Sequence, residues 1–269
     1  MSSSDPAYQL ADVTFGYDEE PVLRNLSGCI QQGELLGVLG PNGEGKSTLL
    51  RILLGVLRPQ AGAVDLFGRS LRSIPPIERA KVVGYLPQEV DLNHPFTTFE
   101  VVLMGRYPHL ATFALESARD IEIAHGCMER TGIEHLARRR FSTLSGGERQ
   151  RALIASVLAQ EPRVMLLDEP TAALDLAHQY SVMEMLRSLA DDGITVILVT
   201  HDVTLAAAYC RRLWLLSGGR ILAQGSPGEV INTANVNQLY GADLRVTTDP
   251  ATGLPLILPP IPSEAQPCL

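Results

Sequence analysis

Gly40-Pro41-Asn42-Gly43-Glu44-Gly45-Lys46-Ser47-Thr48 follows the apolar run Leu35-Leu36-Gly37-Val38-Leu39 and leads into a second, Leu49 to Leu54. That order reads as a buried strand, a glycine-rich turn and a helix start. A helix N-terminus offers free backbone N–H groups and a partial positive charge, which suits a phosphate. Glycines let the chain wrap an anion without Cβ clashes, so successive N–H groups can point inward. Lys46 adds a full charge for the β- and γ-phosphates, and the Ser47 hydroxyl is placed to ligate Mg²⁺. The competing reading is an ordinary surface turn, but a chance G-x-x-x-x-G-K-[ST] in a chain this long has odds of roughly 1%. The stretch reads as a nucleotide phosphate site.

Composition narrows the partners. The 269 residues suffice for one large domain or two small ones. A formal charge of -8 argues against sequence-independent nucleic-acid binding, which needs a basic face to displace counterions. No nucleic-acid partner is expected. Cys29, Cys127, Cys210 and Cys268 sit far apart with no C-x-x-C spacing, so neither a metal cluster nor a disulfide framework is expected, and a reducing cytoplasm is the simplest setting. Met1 to Leu10 lacks the basic and apolar regions of a secretory signal. No apolar run approaches the ~20 residues of a membrane span. Work at a membrane would need a partner that spans it.

Outward from the loop, Tyr8 to Phe15 and Arg24 to Gln31 alternate as strands around the turn Gly16 to Pro21, and Gly62 to Gly68 reads as another. Val82 to Leu86 is a buried strand ending at Pro87-Gln88. From Thr98 to about Gln160 apolar residues recur at helical spacing, which predicts a helical subdomain inserted in an α/β core. Strand and helix then alternate: Val164–Leu167, Leu176–Leu189, Ile194–Val199 and Val203–Tyr209, followed by a hairpin around Ser217-Gly218-Gly219. Fully apolar strands between helices predict a parallel sheet covered on both faces. Arg138-Arg139-Arg140 reads as a solvated helix end, and Pro259 to Leu269 as a disordered tail.

Two further stretches carry chemistry. Four aliphatic residues lead into Asp168-Glu169, putting both carboxylates at the carboxyl end of a buried strand, where open α/β sheets bind ligands. One can hold Mg²⁺ and the other polarise a water, unless the pair only caps the next helix. In Leu144-Ser145-Gly146-Gly147-Glu148-Arg149-Gln150, Ser145 and Glu148 have capping-box spacing. Two glycines in a first helical turn cost about 1 kcal/mol each relative to alanine, and they free the backbone to approach a second anion.

Gly40–Thr48, Leu144–Gln150 and Leu166–Pro170 together resemble the Walker A loop, signature and Walker B strand of the ATP-binding cassette family, over about residues 8 to 245. The resemblance implies an α/β fold: a P-loop NTPase core with a mostly parallel sheet, an antiparallel β subdomain and a helical subdomain at about 91–160. Residues 1–245 form the nucleotide-binding domain and 246–269 a C-terminal extension with a proline-rich tail. It further implies that Tyr17 stacks on adenine, that Gln88 reaches Mg²⁺ and senses a transport partner, that Ala172 to Asp175 forms the D-loop, and that His201 is the switch histidine. Gly40, Pro41, Asn42, Gly43, Glu44, Gly45, Lys46, Ser47 and Thr48 would cradle ATP. Ser47, Gln88 and Asp168 would hold Mg²⁺, and Glu169 would be the general base. In the implied head-to-tail dimer a second copy supplies Ser145, Gly146 and Gly147, so one nucleotide satisfies two helix N-termini.

One residue departs from the family pattern. Position 44 is usually small, and here it is Glu44, whose carboxylate would repel a triphosphate unless it turns to solvent. Among cassette proteins, DNA-repair and chromosome ATPases separate loop and signature by large insertions, whereas about 100 residues separate them here. His94-Pro95-Phe96-Thr97, Val102 to His109 and Asp249 to Pro255 resemble the iron-siderophore, haem and vitamin B12 importer subfamily. Zinc- or manganese-type importers and the soluble ATPase of iron–sulfur assembly are the alternatives. The importer reading implies integral-membrane permease subunits as partners, a substrate-binding protein indirectly, and a peripheral place on the cytoplasmic face of the inner membrane.

Overall fold

The computed structural model describes residues 5–90, 95–111 and 114–260; His94, Cys268 and the expected tail beyond 260 lie outside them. The chain opens with β1 (Tyr8–Phe15), β2 (Leu23–Ile30) and β3 (Leu35–Leu39), and β3 runs through the glycine-rich loop into α1 (Lys46–Leu53). β4 (Ala61–Leu66), β5 (Arg69–Ser70), α2 (Pro76–Ala80) and β6 (Val83–Leu86) follow. The helical stretch holds α3 (Thr98–Leu103), α4 (Ala118–Arg130) and α5 (Gly146–Leu158). Then come β7 (Val164–Asp168), α6 (Leu176–Asp191), β8 (Thr195–Val199), α7 (Val203–Tyr209) and the hairpin β9 (Arg212–Ser217) and β10 (Arg220–Gly225). α8 (Pro227–Val230), α9 (Thr233–Tyr240), β11 (Arg245–Thr248) and β12 (Pro255–Leu258) end it.

Six strands form the main sheet in the order β10-β9-β3-β8-β7-β6, parallel except for β10 against β9. β3, β7 and β8 are buried at every position. Near-continuous aliphatic runs are what strands need when both faces are covered. The second sheet, β2-β1-β4-β5, is antiparallel. One core lies between the two sheets and α1, with Tyr8, Leu36, Leu49 and Trp214 in it. Tyr8 donates through its hydroxyl to Leu53 O at 2.8 Å, tying α1 to β1. A second core lies under α5, α6 and α7.

Register explains where the site falls. Val38 and Asp168 both pair with Val199, so β3, β7 and β8 end at one level. Their carboxyl-terminal loops, carrying Gly40 to Lys46, Glu169 and His201, therefore share one edge.

The helical portion has its own small core, including Val102, Met128 and Phe141. α5 joins it to the rest, sending Ala152 and Ala155 inward and Ile154 and Leu158 toward the second core. Arg106, buried, donates to Asp120 at 2.9 Å, to Ala159 O at 2.6 Å and to Glu161 at 2.8 Å, locking α4 to the end of α5. α3 stops at Leu103 and tightens into a 3₁₀ segment, Met104–His109, that contains Pro108. One local reading changes. Arg138-Arg139-Arg140 is not the end of an α-helix. It joins two 3₁₀ turns, with Arg140 bridged to Thr97 and Arg139 donating to Thr143 O at 2.9 Å.

Candidate active site

The loop after β3 folds as its glycines dictate. Gly43 and Gly45 have φ of 90° and 87°, a left-handed conformation that side chains avoid, and Gly45 is the N-cap of α1. A Cβ on Gly45 would also meet Leu23 at 2.8 Å. α1 has no side-chain cap, so its first N–H groups stay free for a ligand. Lys46 lies along the loop, buried, its Nζ donating to Gly40 O at 2.7 Å and Pro41 O at 2.8 Å. Burial pulls its pKa down, and Glu169, Asp168 and Glu44 hold it up.

Around the loop lies a cavity of about 740 Å³ lined by Tyr17 at one side and by Gln88, Glu169 and His201 at another. Glu169 is the convergence point. Gln88 Nε2 donates to Glu169 Oε2 at 3.3 Å, and His201 Nδ1 lies 3.3 Å from the same oxygen. Glu169 has φ of 50°, a costly conformation for a residue with a side chain. Its N–H donates to Val199 O at 2.9 Å, which fixes the turn that aims the carboxylate.

Asp168 is buried, and its Oδ1 has no hydrogen-bond partner among the described residues. Burial pushes its carboxyl up, while a hydrogen bond from Ser47 and the charge of Lys46 act against this. A carboxylate, a hydroxyl and the amide oxygen of Gln88 make an all-oxygen donor set that suits a hard divalent cation. Tyr17 is 55% exposed, packs edge-on against Phe15 at 5.1 Å, and leaves a ring face free at the cavity.

Ser145, Gly146 and Gly147 do not line this cavity. Ser145 caps α5 as its spacing predicted: Glu148 N donates to Ser145 Oγ at 3.3 Å and Ser145 N to Glu148 Oε2 at 2.8 Å. Asp175 is likewise away from the cavity, as the N-cap of α6, accepting from His178 N at 2.9 Å. The structure therefore gathers Tyr17, the loop, Gln88, Asp168, Glu169 and His201, and leaves Ser145 to Gly147 and Asp175 elsewhere on the same chain.

The ABC transporter family model matches residues 23–172, more than half of the chain. The chain belongs to the ABC transporter family. It is an ATP-binding, ATP-hydrolysing cassette subunit. It is 47% identical to a hemin import ATP-binding protein of Gloeobacter violaceus over 234 residues, covering 84% of each chain. It is 41% identical to the ferric enterobactin transport ATP-binding protein of Escherichia coli over 260 residues, 96% of each chain. An inward-facing metal-chelate type ABC transporter has a chain with the same fold, with a TM-score of 0.85 at 31% identity, covering 96% of this chain and 99% of that one.

Glu44 does not turn to open solvent. It is half-buried, is absent from the cavity lining, and accepts from Gly219 N at 3.3 Å in the β9–β10 turn. The same turn holds β2, through Arg24 N donating to Gly219 O at 2.8 Å. Glu44 thus braces the phosphate loop against the hairpin. We expect Glu44→Ala to change ATP affinity less than about twofold at both low and high salt, because the carboxylate is held by Gly219 N and does not line the cavity. A tenfold, salt-dependent tightening in equilibrium binding would contradict this geometry.

Sequence reasoning missed other parts of the cassette. His178 Nδ1 lies 2.7 Å from Asp175 Oδ1, and its ring packs so closely on Gly147 that a Cβ there would meet it at 2.1 Å. D-loop and signature are thereby joined within one chain. Tyr240 enters the cavity wall from the C-terminal region. Neither has a local motif that marks it.

Proposed function

We propose that this subunit powers an importer of an iron chelate, haem or vitamin B12. The observation that carries the hydrolytic part is the meeting of Gln88 and His201 on one oxygen of Glu169, in the cavity that Lys46 also lines. Glu169 takes a proton from the attacking water, His201 orients that water and the γ-phosphate, and Lys46 with the loop N–H groups stabilises the charge that develops. Gln88 and the Ser47–Asp168 pair would hold Mg²⁺, with the unpaired Asp168 Oδ1 as a ready acceptor. When bound, that cation neutralises phosphate charge. Tyr17 stacks on the adenine.

The chain holds half of each complete site. Ser145, Gly146 and Gly147 stand at a capped helix start remote from their own cavity, so a second copy, arranged head to tail, would bring them onto the triphosphate, with Asp175 at the seam. A permease partner is supported by exposed apolar side chains on neighbouring elements: Val56, Ile77, Met104 and Tyr107, the last 76% exposed. No helix among the described residues is long and apolar enough to cross a membrane, so the subunit would sit peripherally, on the cytoplasmic face, against subunits that do. The hemin and ferric enterobactin proteins it resembles support the substrate class.

Cells lacking this chain should lose uptake of labelled haem, ferric siderophore or cobalamin, and regain it with the parent gene but not with Glu169→Gln. Loss of zinc or manganese uptake alone would favour the other importer class, and defective iron–sulfur assembly with intact uptake would overturn the importer reading.

A further inference from the structure

The C-terminal elements of this chain lie outside the residues matched by the family model, yet one of their side chains reaches the nucleotide cavity. Tyr240 is the last residue of α9, a helix started by Asn232 as N-cap and stopped by Gly241 in the left-handed conformation. α9 packs on β9, β10 and β11, while β12 of the same module packs on α7. α7 begins immediately after His201, with Asp202 as its N-cap accepting from Leu205 N at 2.9 Å. The C-terminal module therefore packs on the helix that starts just after His201, and Tyr240 shares the wall of the cavity with His201.

The Tyr240 hydroxyl is the anomaly. It is fully shielded from solvent and has no hydrogen-bond partner among the described residues. Burial and the nearby negative charge of Asp202 both push its pKa up, so it stays a neutral donor. A buried hydroxyl without an acceptor is costly, and a phenylalanine would fill the same space without that cost. Such a group is explained where the acceptor arrives in another state of the protein. The candidates for movement are close by, because the turn Thr200-His201-Asp202 sits at the mouth of the cavity and His201 is 59% exposed.

We propose that Tyr240 is a positioning residue for His201. With nucleotide bound, the His201–Asp202 turn closes and the Tyr240 hydroxyl donates to it, through the Asp202 carboxylate or the turn's own carbonyls. The bond absent in the nucleotide-free chain is made on closure, and it holds His201 toward the γ-phosphate. The C-terminal module then senses the state of the catalytic histidine, and contacts made to that module would be felt at the active site. This inference rests on the roles proposed above for His201 and Glu169.

The test is Tyr240→Phe in the full chain, which keeps the ring and removes only the hydroxyl. Three readings follow. The nucleotide-free variant should melt higher than the parent, on the order of 2–4 °C, because the unpaired donor is gone. The stabilisation by MgATP, measured in a Glu169→Gln background to prevent turnover, should shrink by a similar amount. The kcat for ATP hydrolysis should fall about fivefold with KM unchanged, because the lost bond forms only on closure. A hydroxyl with a merely structural role would lower the melting temperature and leave the MgATP shift intact. Unchanged kcat with an unchanged MgATP shift overturns the inference, as does a lower melting temperature without nucleotide. The parent's own turnover tests the hydrolytic reading separately, and the stability readings judge Tyr240 even where that reading fails.

Discussion

We expect Glu169→Gln to hydrolyse ATP about 1,000-fold more slowly than the parent, with its ATP affinity within about threefold. The magnitude follows from removing a positioned general base, a loss of roughly 10²–10⁴ in rate. The selectivity for rate over binding follows from geometry. Glu169 Oε2 faces Gln88 and His201, each 3.3 Å away, whereas the groups proposed to grip phosphate are the loop N–H groups and Lys46, which line the cavity from the glycine-rich loop. The amide of glutamine keeps the shape and the left-handed turn at 169, so the pocket survives while the proton acceptor is lost. Single-turnover hydrolysis and equilibrium nucleotide binding on the same preparation separate the two. Turnover within tenfold of the parent would remove Glu169 from the role of base.

Lys46→Ala should bind ATP about 100-fold more weakly. One charge-assisted hydrogen bond to an anion contributes roughly 1.5–3 kcal/mol, and the upper end applies because Lys46 is buried and already desolvated in the free protein. Lys46→Arg should not rescue it, since a guanidinium fork does not fit the slot in which Nζ meets Gly40 O and Pro41 O at 2.7 and 2.8 Å. The pH dependence has a definite sign. Burial raises the pKa of Asp168 and Lys46 opposes that rise, so without the ammonium the carboxyl protonates at higher pH. Residual Mg²⁺-dependent binding by Lys46→Ala should therefore fall away on acidification at a higher pH than in the parent. An affinity within threefold of the parent would contradict the assignment of Lys46.

Much of this was legible in the sequence because the signals are local. The strands that carry the site are short and wholly buried, so they show as nearly continuous apolar runs before Gly40, Asp168 and Thr200. The Ser145–Glu148 cap is set by a spacing of three. Other features were illegible because they join residues remote in sequence. Glu44 was expected to seek solvent, and it finds Gly219, 175 positions on. His178 and Gly147 touch because the first turns of α5 and α6 meet, which no periodicity encodes. The left-handed backbone at Glu169 has no residue-type signature, since glutamate has no preference for it. Tyr240 belongs to no motif, and only the fold puts it in the wall of the cavity that His201 also lines. The 3₁₀ segment at Met104–His109 was missed because a proline is a cue for stopping a helix, not for tightening one.

If one chain holds half of a nucleotide site, ATP joins two copies through Ser145, Gly146 and Gly147. The most direct measurement is the mass in solution of Glu169→Gln with and without MgATP. We expect the mass of one chain, 29.2 kDa, without nucleotide and about twice that with MgATP, the dimer being lost when Ser145 is replaced by a bulky residue. A chain that binds MgATP and keeps the mass of a monomer would contradict it.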